Sequence, residues 1–157
     1  MFEIIDEKCT PSRGSKYSAC VDLRSREDVV IDIGSTVLIP LGVKLDMEEL
    51  YLNWYRNTDQ NRNRPSWSNF KLSHYFQLML RSSLSKHLVI TGGVGVIDCD
   101  YEGEIMIRVH NLTSMKGAKI DKGQRIAQIT LMEHKSYLMG YETDEIRDGG
   151  FGSTGSK

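Results

Sequence analysis

Residues 104–110 set Ile105, Ile107 and Val109 on one face of an extended segment, with Arg108 and His110 on the other. A period of two belongs to a half-buried strand, because a helix repeats its apolar face every 3.6 residues. Just upstream, Val94-Gly95-Val96-Ile97-Asp98 reads as a short buried strand. Asp98-Cys99-Asp100-Tyr101-Glu102-Gly103 carries the acids and glycine of a turn. Together these predict a β-hairpin over residues 92–111. A carboxylate and a tyrosine at a hairpin mouth are well placed to hold a flat polar ligand, and an ordinary acidic turn accounts for the same residues.

Few other stretches hold a helical period. Residues 2–7, 18–23, 28–33, 35–45, 74–80, 118–120 and 124–132 all read as strands, and Asp121-Lys122-Gly123 makes a turn between the last two. Val29, Ile31 and Ile33 share a face, and Pro40 marks an edge or a bulge because it has no N–H for a central ladder. In 124–132 the inward positions are Ile126, Gln128 or their neighbours. Many short strands with glycine turns predict an all-β antiparallel sandwich or jelly-roll-like barrel. A chain of 157 residues suits one core, so residues 1–157 read as a single domain.

A net charge of −1 gives no global basic field for nucleic acid. No apolar run approaches a membrane span, and the first residues lack a leader's basic start and apolar core. Cys9, Cys20 and Cys99 are odd in number with no C-x-x-C, and His74, His87, His110 and His134 lack paired ligand spacing. The expectation is a cytoplasmic protein with free thiols and no protein-held transition metal.

Two segments break the strand rhythm. Residues 46–73 are too long for a hairpin loop. Asp46 can cap a short helix, Glu49 sits at the capping-box position, and Met47, Leu50, Tyr51 and Trp54 share one face. The remainder interleaves Arg56, Arg62 and Arg64 with Trp67 and Phe70. Such residues can stack on single-stranded nucleic acid. The reading preferred here is a surface insert whose aromatics pin it to the body or to a neighbouring subunit, since the arginines are few and Asp59 offsets one. Residues 142–157 are glycine-rich and contain Arg147, Phe151, Ser153 and Thr154. They read either as a frayed terminus or as a mobile arm that orders over a phosphorylated ligand.

With these segments in hand, five stretches in order resemble the motifs of the trimeric dUTP diphosphatases (dUTPases), across the whole chain except the insert. Ala19-Cys20-Val21-Asp22-Leu23 is similar to A-G-x-D-L, with cysteine in the usual glycine position. Arg81-Ser82-Ser83-Leu84 is similar to the end of P-R-S-G-L, with Leu80 and Ser83 replacing its proline and glycine. Residues 95–104 (GVIDCDYEGE) and 123–128 (GQRIAQ) match the third and fourth motifs. Residues 149–155 (GGFGSTG) match the fifth, although Arg147 lies one residue nearer Phe151 than the family's arginine does.

The resemblance implies a distorted jelly-roll-like barrel or sandwich assembled as a homotrimer with exchanged C-terminal arms. It implies Mg²⁺-dependent hydrolysis of dUTP to dUMP and pyrophosphate by water attacking the α-phosphorus. Asp98 is then the general base on that water. Tyr101 packs on the deoxyribose and excludes a 2′-hydroxyl. Main-chain groups around Gly92, Gly95, Val96, Ile97 and Met106 read uracil. Arg81, Ser82, Ser83 and Gln128 reach the phosphates, Arg81 having a structural ion pair as its alternative, and Arg125 is structural. Phe151 stacks on uracil, while Arg147, Gly152, Ser153 and Thr154 bind the terminal phosphates. Asp22 holds waters of the Mg²⁺ from the second shell. The partners implied are dUTP and two further copies of the chain, with no membrane and no nucleic acid.

Two rival readings stand beside this one. The dCTP deaminases resemble dUTPases in fold and share an R-S-S run, but they carry a glutamate where this chain has Arg108, and arginine cannot accept the proton. The other rival is a dUTPase-like trimer with an added regulatory role, binding a protein partner through the insert at 46–73.

Overall fold

A computed structural model of the chain describes residues 1–57, 66–113 and 116–140. Its strands are β1 (Phe2–Ile4), β2 (Val21–Arg24), β3 (Val29–Ile31), β4 (Thr36–Pro40), β5 (Val43–Leu45), β6 (His74–Leu80), β7 (Leu88–Ile90), β8 (Gly95–Asp98), β9 (Met106–Asn111), β10 (Ala118–Ile120) and β11 (Arg125–Glu133). Helices α1 (Met47–Asn57) and α2 (Trp67–Ser73) lie between β5 and β6. A four-stranded sheet has the order β2-β11-β6-β8, a three-stranded sheet the order β4-β9-β7, and β1-β5 and β10-β3 form two smaller pairs. Every described pairing is antiparallel, and no described sheet closes on itself.

The larger sheets supply Leu23, Phe76, Leu78, Ile97, Ile107, Val109 and Ile129 to one core cluster, as a sandwich requires. The alternation that predicted β9 is borne out: Ile105, Ile107 and Val109 are buried and Arg108 is exposed. β6 occupies the predicted 74–80. The 35–45 run is cut in two at Gly42, which turns the chain with φ +66° in front of Cys9. Pro40 ends β4, an edge strand, where a missing N–H costs least. Ile33 falls outside β3 and is half exposed.

The predicted hairpin over 92–111 is corrected. β8 pairs with β6, whereas β9 pairs with β4 and β7, so the two consecutive strands enter different sheets. Gly92 and Gly93 both have φ +92°, and they turn the chain from β7 toward β8. That conformation suits glycine, which has no Cβ to clash.

The described parts of the insert form two helices where the sequence predicts one, and Asp59, Arg62 and Arg64 lie outside the described residues. Asp46 caps α1 through its Oδ1, which accepts the Glu49 N–H at 3.0 Å. Met47, Tyr51 and Trp54 pack against the core and Leu50 is buried, as their shared face predicts. The sequence reading missed α2. Its signal is Ser66, whose hydroxyl accepts the Asn69 N–H at 3.3 Å. Phe70 is fully buried, 5.0 Å from the Trp54 ring centroid and 4.3 Å from that of His74. Truncating such a phenylalanine to alanine typically costs about 3–5 kcal/mol. No helix of the described residues is long and apolar enough to cross a membrane.

Candidate active site

Asp22 on β2 is buried, yet it is a carboxylate. Its Oδ1 meets Arg81 Nε at 3.0 Å and its Oδ2 meets Arg125 Nη1 at 3.0 Å. A buried charge needs such partners, because taking it from water is costly. The cluster exists because of register. β11 slips between Arg125 and Ala127, so Ile126 and Ala127 are both buried. Gln128 is thereby set between Asp22 of β2 and Met79 of β6. This settles the open question of β11: Ile126 faces the core and Gln128 the opposite side with Asp22.

Arg81 follows β6 directly, and its N–H donates to the Ile126 carbonyl at 3.0 Å. A tight turn over 82–87 follows, in which Leu84 and Ser85 donate back to the Arg81 carbonyl. Ser82 and Ser83 are exposed on that turn. Asp22, Arg81, Gln128 and Arg125 thus gather at one end of the sheet. Arg81 and Arg125 both make the ion pairs that a structural role requires.

The other predicted residues gather elsewhere. Asp98 is the exposed last residue of β8, opposite Tyr75 of β6. β8 is an edge strand, so its side away from β6 carries no ladder partner among the described residues. β7 pairs with β9 only over residues 109–111, which leaves the Met106 end of β9 without a ladder on that side. Gly92 lies just before β8 and Gly95 at its start, Val96 is 60% exposed, and Ile97 is buried in the core.

Tyr101 follows Asp98 by three residues. Its ring is half buried against the core, and its hydroxyl donates to the Glu104 carbonyl at 2.8 Å. A Cβ on Gly103 would lie 2.5 Å from that hydroxyl, so the ring's position requires glycine there. Cys99, between Asp98 and Asp100, is buried and its thiol donates to the His74 carbonyl at 3.2 Å. Burial, reinforced by the two flanking carboxylates, pushes this thiol up to about 12. It is a neutral hydrogen-bond donor, not a nucleophile.

The two groups do not meet within one chain. Asp98 is opposite Tyr75 and Gln128 is opposite Met79, four residues apart on β6, which is roughly 14 Å along a strand. Asp22 and Asp98 are also three strand spacings apart across the sheet, roughly another 14 Å. Arg147, Phe151, Gly152, Ser153 and Thr154 lie outside the described residues. Among the described residues, no three His, Cys, Asp or Glu side chains cluster as metal ligands. The sequence reading placed Gly103 in the turn and both Gly103 and Glu104 in the third motif; their structural part is to give the packed tyrosine space and a hydrogen-bond partner.

Comparison with known proteins identifies the family. The dUTPase family model matches residues 69–155. The deoxyuridine 5'-triphosphate nucleotidohydrolase of Polynucleobacter asymbioticus is 32% identical over 164 residues, covering 98% of this chain and 95% of the relative. Among solved structures, the dUTPase of Streptococcus mutans superposes with a TM-score of 0.63 at 29% identity, covering 85% of this chain and 95% of that one. The dUTPase of phage phi11 of S. aureus, a structure that visualises a species-specific insert, gives a TM-score of 0.63 at 19% identity over 98% of this chain and 97% of that one. At that identity the second likeness is one of fold. The match to the family over more than half the chain, and to a relative over nearly all of it, shows that this chain belongs to the dUTPase family.

Proposed function

We propose that the chain hydrolyses dUTP to dUMP and pyrophosphate, with water attacking the α-phosphorus and Asp98 accepting its proton. The observation that carries this reading is the position of Asp98: exposed, at the end of an edge strand, three residues before a tyrosine ring held through its hydroxyl. In this reading uracil lies along the open edge of β8. Main-chain groups of Gly92, Gly95, Val96, Ile97 and Met106 supply donors and acceptors to its edge, and Tyr101 packs on the deoxyribose. Ser82, Ser83, Arg81 and Gln128 bind phosphate oxygens at the other end of the sheet, and Arg147, Phe151, Gly152, Ser153 and Thr154 cover the bound nucleotide.

The separation of the two groups supports a site shared between subunits of a homotrimer, with the arm exchanged. One chain contributes the β8 edge and Asp98, a neighbour the Arg81–Gln128 end, and the arm closes the site. A closed assembly of identical chains repeats such a shared site at every interface.

Mg²⁺ fits this site as an ion held chiefly by phosphates and water. Asp22 gives one oxygen to each arginine, and a carboxylate has about four acceptor positions, so lone pairs remain for the ion's waters. When bound, the ion neutralises charge on the phosphate chain.

The test is pyrophosphate release with Mg²⁺ across dUTP, dTTP, dCTP and UTP, with strong preference for dUTP expected. Asp98→Asn should still bind dUTP while turnover falls by about 10²–10⁴, the range for losing a general base. Near-normal turnover by Asp98→Asn would remove Asp98 from that role, and ammonia release from dCTP would mark a deaminase.

A further inference from the structure

Tyr101 is anchored through Glu104, and the anchor reaches the β4–β5 corner. The Tyr101 hydroxyl donates to the Glu104 backbone carbonyl at 2.8 Å. Glu104 is itself clamped. Its Oε1 accepts the Gly42 N–H at 2.8 Å, and its Oε2 meets Arg26 Nη1 at 3.0 Å. The next residue, Ile105, is fully buried, donates to the Val43 carbonyl at 2.8 Å and accepts the Leu41 N–H at 2.9 Å. Arg26 in turn is fixed by its N–H, which donates to the Pro40 carbonyl at 2.9 Å. Gly42 cannot shift easily, since a Cβ there would already lie 2.6 Å from Cys9.

The Glu104 side chain therefore ties the turn bearing Tyr101 to the β4–β5 corner through two contacts, to Gly42 and Arg26, beside the two backbone bonds of Ile105. Gly103 lets the ring lie flat on the turn, so the ring is held at its edge and at its hydroxyl. A wall held at both points cannot yield to a larger sugar. A wall held at one point can tilt, and sub-ångström displacements in a site have large kinetic effects.

We propose that Glu104 is a specificity-positioning residue: with Arg26 and Gly42 it fixes the Tyr101 ring so that a 2′-hydroxyl is excluded. This rests on the reading of Tyr101 as the sugar wall. The proposal separates the residue that touches the sugar from the residue that makes the contact discriminating. A glutamate with no contact to the nucleotide then sets the choice between deoxyribose and ribose.

The experiment measures kcat and KM for dUTP and UTP in the wild type, Glu104→Ala, Glu104→Gln and Tyr101→Phe, with thermal melts of each. Glu104→Ala should lower the dUTP-to-UTP ratio of kcat/KM by about 10-fold, within the range by which one small group alters discrimination in a pocket. Most of the change should be a gain with UTP. Glu104→Gln keeps an acceptor for the Gly42 N–H and loses the charge facing Arg26, so it should recover part of the discrimination. Tyr101→Phe removes the hydroxyl anchor and keeps the ring, and should relax discrimination in the same direction. A purely structural Glu104 would lower the melting temperature and both substrates' rates together, with the ratio intact. An unchanged ratio in Glu104→Ala overturns the proposal; if that variant does not fold, unchanged ratios in Glu104→Gln and Tyr101→Phe do so. A wild type that fails to hydrolyse dUTP defeats the proposed function instead, so the two failures are distinguishable.

Discussion

The two ends of β6 hold acidic residues in opposite ways. At one end Asp22 is buried, and two arginines drawn from distant parts of the chain neutralise it. At the other, Asp98 is exposed at the end of β8, where one strand, β6, pairs with it through Tyr75. Asp22 can exist only if β2, β11 and β6 are in register, so it reports on the fold as much as on chemistry. Asp98 depends on a single pairing, that of β8 with β6. The buried carboxylate is thus held by three strands, while the exposed one stands at a sheet edge.

That contrast can be broken most sharply by mixing. Asp98→Asn and Arg81→Ala subunits, each inactive alone, should regain activity when co-refolded, in about a quarter of the sites of a random trimer. No recovery would mean that both ends serve one chain's own site. The next effect is on stability. Asp22→Asn strands two arginines, and breaking such a pair costs roughly 3–5 kcal/mol when fully buried; the 40% exposure of Arg125 moves the expectation to the low end in urea titrations. Asp98→Asn, at an exposed position, should cost less than Asp22→Asn. Equal losses in both variants would erase the distinction.

The smallest effect concerns Cys99. Its thiol goes from an ordinary 9.0 to about 12 in the folded chain, chiefly through burial. Between those values the unfolded chain has released a proton that the folded chain retains, so stability must fall as pH rises. The contribution is complete below pH 9 and lost as pH passes about 12. The difference in stability between wild type and Cys99→Ser should therefore move against the wild type from pH 9 upward; a flat difference would place the thiol in water.

What the sequence revealed follows the same division. The Asp98–Glu104 turn, β6 and the apolar face of β9 were legible because local period and local residue types determine them. The Asp22 cluster was legible only as motif letters, since its ion pairs depend on a one-residue slip in β11 that no local signal marks. The hairpin reading failed for a related reason: periodicity predicts that β8 and β9 are strands, but not which sheet each joins. Helix α2 was missed because its seven residues are too few to display a helical period, and its Phe70 counts as an anchor only once the core is assembled.

Helix α2 ends at Ser73 and β6 begins at His74, with no residue between them. The boundary of the insert in sequence is therefore not its boundary as a separable part. Ser73 accepts the His134 N–H through its carbonyl, and His74 accepts the Cys99 thiol through its own, so the last turn of α2 is spliced into the sheet next to Asp98. A cut at the insert's apparent end would fall at the start of the strand that runs from beside Asp98 to Arg81, the partner of Asp22.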